Sequence, residues 1–199
     1  MNEQFDYIII GAGSAGSVMA NRLSANGKNS VCVLEAGPGG DSITVRTPGA
    51  FAAHMFYKKY NWAFNAKPDP SLRGGQPIFT PRGKGLGGSS SINGMLYVRG
   101  QKEDYDEWEA LGNEGWGYQD LLPYFKKSEH HEKLADDPYH GKGGNLHISS
   151  PEAAEFPMSE RFVKAAVQAG FPYSNDFNGA NQEGVGYFHL NIKDGQRFG

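Results

Sequence analysis

Residues 6–39, DYIIIGAGSAGSVMANRLSANGKNSVCVLEAGPG, constrain this chain most, because they set a strand, a glycine turn, a helix, a second strand and an acid in series. Tyr7-Ile8-Ile9-Ile10 is a continuous apolar run, the pattern of a parallel strand buried on both faces. It leads into Gly11-Ala12-Gly13-Ser14-Ala15-Gly16, which reads GxGxxG. In such a motif the first glycine permits a tight turn, the second lets a pyrophosphate approach the backbone, and the third lets helix and strand pack closely. The phosphates then rest on the helix N-terminus. The spacing predicts a helix over 14–26 that buries Val18, Ala20, Leu23 and Ala25 and stops at Gly27. A second strand over 30–34 delivers Glu35, at the spacing of about 20 residues where a carboxylate suits a bidentate hydrogen bond to an adenosine ribose.

A GxGxxG alone is weak in a chain with 28 glycines, so its context gives it weight: strand before, helix after, acid at the end of the next strand. Glu35 would repel a 2'-phosphate, which makes NADP the poorest ligand, and Glu35-Ala36-Gly37 after the second strand resembles the FAD proteins of the two-dinucleotide-binding type, which puts FAD first and NAD second.

The chain is 38% hydrophobic and 21% charged with a net charge of −3, and it lacks a run able to span a bilayer, so no integral membrane segment is expected. Nor is nucleic acid an expected partner, since the basic footprint is missing. Met1-Asn2-Glu3-Gln4-Phe5 enters the first strand without the regions of a signal peptide, so a cytoplasmic location is expected, peripheral membrane association being left open. Cys32, the single cysteine, reads as a small core residue of the second strand.

Residues 38–80 are rich in Gly, Pro, Asn and aromatics and read as a lid-like excursion over a ligand. Within it Tyr60-Asn61-Trp62-Ala63-Phe64 alternates like a strand, its aromatics packing the lid. Helices are predicted over 104–111 and 118–131, with Pro123 tolerable near the second one's start. A strand is predicted over 145–149. An amphipathic helix is predicted over 159–170, with Ser159 as N-cap and Phe162, Val163, Ala166 and Val167 on one face.

A second glycine-rich segment, 81–100, reads PRGKGLGGSSSINGMLYVRG. Gly87 and Gly88 followed by Ser89, Ser90 and Ser91 offer backbone N–H groups and hydroxyls that can lie flat against a planar ring and bond its edge. A helix starting near Asn93 would aim its positive end at charge on that ring. The competing reading is a flexible surface turn.

The core Gly-Lys-x-Leu-Gly-Gly-Ser-Ser-x-Ile-Asn over 83–93, followed by Tyr97, Gly100 and Asp106, resembles the first signature of the glucose-methanol-choline (GMC) oxidoreductase family. Residues 11–35 are similar to that family's FAD site. Asp104-Tyr105-Asp106-Glu107-Trp108, Gly115-Trp116 and Leu121-Leu122-Pro123-Tyr124-Phe125 resemble its next stretch. By appearance the choline dehydrogenase-like and the aryl-alcohol or hydroxymethylfurfural oxidase-like members are nearest. The resemblance implies an α/β fold: a Rossmann-like FAD-binding domain over 1–144, its doubly wound parallel sheet incomplete, then the start of an α+β substrate-binding domain over 145–199. It implies oxidation of a small-molecule alcohol by hydride transfer to flavin N5, with oxygen, a quinone or a dye as acceptor and the oligomeric state open. Alternatives within the resemblance are a hydroxynitrile lyase or a photodecarboxylase; the alternative of a different class is a flavin-binding fragment or subunit without activity of its own.

Carried over by position, Ser14 and Ala15 would meet the pyrophosphate and Glu35, with Ala36 beside it, the ribose. Ser89, Asn93, Gly94, Tyr97 and Val98 would meet the flavin and ribityl region, with Leu86, Gly87 and Gly88 in the same pocket. Ile92 stands where some relatives attach the flavin through a histidine, which points to non-covalent FAD. The family's catalytic histidine and its His or Asn partner are expected beyond Gly199, so no catalytic residue is assigned. His54 falls in the lid, His130 and His131 read as a solvated helix end, His140 lies in a loop and His147 and His189 on strands, and no metal site is expected. Asp104, Asp106, Glu107 and Glu109 read as a solvated helix face.

Overall fold

The computed structural model describes residues 3–39, 42–151 and 157–199, with Arg73 by its backbone alone. Met1 and Asn2 of the N-terminal stretch and Gly40 and Asp41 of the expected lid lie outside the described residues, as do 152–156. The chain divides into two compact units, Met1–Gly94 with Gly195–Arg197 and Gly199, and Met95–Asp194 with Phe198. The expected boundary at 144/145 falls inside the second.

The first unit opens with the expected βαβ order: β1 (Tyr7–Ile10), α1 (Ser14–Ser24) and β2 (Val31–Leu34). The strands pair in parallel, Tyr7 opposite Val31 and Ile10 opposite Leu34. Asp6 fixes this register at its start, its carboxylate accepting the Ser30 N–H and hydroxyl, both at 2.7 Å. Helix α1 ends two residues before the predicted last residue, 26, and the Gly27 N–H turns back to the Ser24 carbonyl at 2.9 Å. Burial departs from expectation. Ile8 is 62% and Ile10 87% exposed, Val18 and Ala25 are exposed, and Ala20, Leu23 and Cys32 are half-buried. The reason is coverage: among the described residues no third strand extends the pair, and α1 is the main helix packed on it.

The excursion that follows is built of short turns, α2 (Ile43–Arg46), α3 (Phe51–His54) and the antiparallel pair β3 (Phe64–Asn65) and β4 (Phe79–Thr80). Val45, Tyr60 and Ile92 form its buried apolar cluster. The strand-like alternation fails at Tyr60 and Asn61, which are both buried. Asn61 serves as a polar tie instead, its Oδ1 accepting the N–H groups of Ala63 (2.9 Å) and Arg82 (2.8 Å). Trp62 and Phe64 stack at 5.9 Å, so they do pack against each other as expected.

In the second unit β5 (Leu96–Tyr97) is followed by α4 (Lys102–Ala110), α5 (Tyr118–Ser128), β6 (Glu129–His131), β7 (Leu146–Ile148), α6 (Pro157–Gln168) and β8 (His189–Leu190). Strand β5 pairs antiparallel with β8, and β6 parallel with β7. Gln101 and Asp104 close a capping box on α4, and Asp106 accepts both the Lys102 ammonium (2.6 Å) and the Tyr118 N–H (3.0 Å), tying α4 to the start of α5. Three expectations need correction. Helix α5 stops at Ser128 because Glu129 turns extended and enters β6, so His130 and His131 are strand residues. Pro123 is the sixth residue of α5, past its first turn. Helix α6 starts at Pro157, whose fixed φ suits a first turn, so Ser159 is inside it and is not the N-cap; of its expected apolar face Val163 is buried while Phe162 and Val167 are exposed. No described helix is long and apolar enough to cross a membrane.

Candidate functional site

The two glycine-rich segments meet in the first unit. Gly87 donates its N–H to the Ala12 carbonyl at 2.8 Å, and Gly13 bridges to Gly87 in parallel. A Cβ on Gly16 would collide with the Gly11 carbonyl oxygen, which is the close helix-to-strand packing the motif predicts. Gly88 has φ +55°, and a Cβ there would lie 2.8 Å from the Gly13 Cα. One loop therefore crosses directly over the other. Helix α1 begins at Gly13 without a side-chain cap and with no acid in its first turn, so its positive end is left for an external anion. Ser14, Ala15, Leu86, Asn93 and Gly94 are exposed on this cradle, while Gly11, Gly13, Gly16, Gly87, Gly88 and Ser89 are half-buried.

Glu35 holds the cradle together. Its Oε2 accepts the Ala12 N–H (2.7 Å), and its Oε1 accepts those of Gly37 (2.8 Å) and Gly85 (2.9 Å). Partial burial raises this carboxyl, but the amides of Ala12, Gly37, Gly85 and Ala36 outweigh it and hold the group below its ordinary range. A carboxylate offers about four acceptor sites, so three bound amides leave about one. Oε1 holds two of these amides and Oε2 one, so the room for a further donor is at Oε2.

The serines are also more committed than their composition suggests. Ser90 and Ser91 donate their hydroxyls to the carbonyls of Gly87 (2.8 Å) and Leu86 (2.7 Å). Ser89 Oγ accepts the Gly83 N–H (3.1 Å), which leaves its own proton to donate. No helix starts near Asn93. The turn is a 3-10 segment, Gly88–Ser91, after which the N–H groups of Ile92 and Asn93 both point at the Ser89 carbonyl and the chain extends. One short turn carries no helix end, so the positive helix end expected near Asn93 does not form. Asn93 Oδ1 instead accepts from Arg197 Nη1 at 2.7 Å.

Tyr97 and Val98 belong to the second unit. The Tyr97 hydroxyl lies 3.3 Å from Glu129 Oε2 and accepts Arg99 Nε at 3.3 Å, and its carbonyl accepts from Asn178 at 3.0 Å. Its polar groups are thus spoken for, and Val98 presents an exposed side chain.

Those bonds belong to a buried network the sequence did not reveal. Glu129, fully enclosed, accepts from the Arg99 guanidinium at Oε2 and from His140 Nδ1 at Oε1 (2.6 Å). His140 Nε2 donates to Asp176 Oδ2 at 2.9 Å. Both ring nitrogens face carboxylates, so both carry protons. Burial lowers the His140 pKa, but the bonds to Asp176 and Glu129 push it up to about 9. His131 Nδ1 accepts the N–H groups of Lys133 (3.2 Å) and Leu134 (3.1 Å), so its Nε2 holds the proton and donates to His189 Nδ1 at 3.2 Å. Burial, then His189 and His140, push His131 down to about 4. The three rings bring nitrogens within 4.8 Å of one another, yet His140 has no lone pair to give a metal. The network is a balance of two cations, Arg99 and His140, with two carboxylates, Glu129 and Asp176. The one sequence signal for it was the i, i+2 spacing of Glu129 and His131, which a strand puts on one face.

A cavity of about 480 Å³ in the second unit runs past Arg99, Gln101, Asn178 and Gln182. Two of its amides are bonded within the protein, Gln182 donating to the carbonyls of Arg99 and Phe177, and Asn178 donating to the Tyr97 carbonyl and accepting the Arg99 N–H.

A family profile described as GMC oxidoreductase matches residues 5–199. The chain is 47% identical to an Alcohol dehydrogenase [acceptor] of Pseudomonas putida over 98% of its length and 35% of that protein's. It is 46% identical to an Oxygen-dependent choline dehydrogenase of Rhizobium etli, again over 98% of this chain and 35% of the relative. Among solved structures, pyridoxine 4-oxidase from Mesorbium loti superposes with a TM-score of 0.90 at 34% identity, covering 98% of this chain and 38% of that one. The chain thus spans about a third of the length of the curated relatives it matches.

Proposed function

We propose that this chain, which belongs to the GMC oxidoreductase family, holds FAD without a covalent link and forms the cofactor cradle of an enzyme that oxidises an alcohol. The observation that carries the reading is the crossing of Gly88 over Gly13 at the uncapped start of α1, a backbone surface kept free of side chains. FAD bound there supplies the two-electron acceptor at N5 for a hydride from the alcohol carbon. The N–H groups at the start of α1, around Ser14 and Ala15, bind the pyrophosphate. Glu35 takes one ribose hydroxyl, Ser89 donates its remaining proton, and Leu86, Asn93 and Gly94 line the open face. Ile92 is buried with Val45 and Tyr60, so an inert side chain stands where some relatives have a histidine. The alcohol's hydroxyl proton needs a positioned base as the hydride leaves. His131, His140 and His189 are bound up in the buried network, and we place the base beyond residue 199.

Acid precipitation of the purified protein tests the cofactor. FAD is expected in the supernatant; flavin retained in the pellet contradicts the Ile92 argument, and released NAD or FMN contradicts the assignment of FAD. Glu35→Ala is expected to weaken FAD binding by about 1.5–3 kcal/mol, the worth of a charge-assisted hydrogen bond, and also to lower the unfolding midpoint because three amides lose their acceptor. A titration showing unchanged affinity would remove Glu35 from the site.

A further inference from the structure

Arg197, at the end of the short strand Gln196–Arg197, lies in the first unit and is nine-tenths buried. Its Nε donates to the Val45 carbonyl at 3.0 Å, and its Nη1 to the Ser90 carbonyl (3.0 Å) and to Asn93 Oδ1 (2.7 Å). All three acceptors are neutral, and Nη2 is buried with no hydrogen-bond partner among the described residues. No carboxylate of the described residues pairs with it. Burial lowers its pKa, yet an arginine keeps its proton in proteins, so this is a buried cation without a counter-charge. Two of its three contacts are to the turn that carries the proposed cofactor cradle. Folding tolerates such a charge poorly unless it has a use.

We propose that Arg197 is a positioning residue that orders Asn93 and the Gly88–Ser91 turn and, by its uncompensated charge, favours negative charge on a ring held against that turn. The inference rests on the FAD reading above. Its chemical consequence is a flavin that accepts an electron pair readily at N5, because the charge displaced into the ring meets an opposite charge behind the loop.

Sulfite reads this without turnover. Its sulfur lone pair forms a bond to flavin N5, and the displaced ring electron pair becomes the negative charge of the adduct, with no proton or further reactant needed. In the flavin-loaded protein, Arg197→Gln is expected to weaken sulfite binding about tenfold, the order of one unit charge lost from behind the turn. Arg197→Lys, which keeps the charge, is expected to stay within about threefold of the parent. A flavin-loaded R197Q protein that binds sulfite like the parent overturns the inference, as does an R197K protein that loses as much as R197Q. Should R197Q not fold, R197K still tests the inference, since a loss of about tenfold there rejects it. A parent protein that holds no flavin removes the FAD reading itself, and this inference with it.

Discussion

Gly88→Val should yield a protein that purifies without flavin. The position combines two obstacles. At φ +55° a residue with a Cβ is in the left-handed region, which costs roughly 1–2 kcal/mol and more for a branched side chain. The Cβ would also lie 2.8 Å from the Gly13 Cα, and because that neighbour is backbone it cannot swing aside. One of the loops must then lift, which opens the crossing at α1 where we propose that the pyrophosphate binds. From sequence alone the glycine is explained by the ring it faces; the structure explains it by the backbone it crosses. Gly88→Ala should retain a reduced share of flavin. Gly27→Ala is the control, since its φ is +68° but nothing lies within 4 Å of its Cβ, so it should lose about 1 kcal/mol of stability and keep its flavin. Full flavin content in the valine variant, read from the absorbance ratio of the purified protein, would show that the crossing is not the cradle.

What could be read from the sequence was what repeats locally. The βαβ order, the paired glycine segments and Glu35 at the strand end all follow from spacing, because strand, turn and helix are near-neighbour properties. The assignments that failed depended on distant partners. Residues 118–131 continue a helical pattern, but Glu129 leaves the helix because Arg99 and His140 claim its carboxylate and β7 claims its backbone. Asn93 looks like a helix start until the Ser89 carbonyl gathers the N–H groups of Ile92 and Asn93 itself. Spacing is equally silent on the three amides that Glu35 accepts, which come from 23 residues back, two on and 50 on. Ile8 and Ile10 look like core strand residues by pattern, and their exposure is a matter of which other elements cover them.

The same network sets the second large expectation, a stability profile with a maximum near pH 6.5. His140 has a folded pKa of about 9 against an ordinary 6.5, so the stability it contributes is fully present below pH 6.5 and is lost as the pH rises through 9. His131 has a folded pKa of about 4, so its neutral form contributes above pH 6.5 and that contribution is lost as the pH falls through 4. Each limb is worth roughly 3 kcal/mol, and His189, pushed down chiefly by burial, steepens the acid side. The unfolding midpoint followed by circular dichroism from pH 4 to 9 should therefore fall on both sides. His140→Gln separates the limbs. It leaves Glu129 and Asp176 as buried carboxylates short of a cation, and should cost about 3–5 kcal/mol at pH 6.5. In that variant the alkaline decline should disappear, because the group that loses its proton is gone, while the acid decline set by His131 persists. A parent protein whose midpoint is flat from pH 7 to 9 would mean that His140 is not doubly protonated, and the charge balance of Arg99 and His140 against Glu129 and Asp176 would have to be drawn differently.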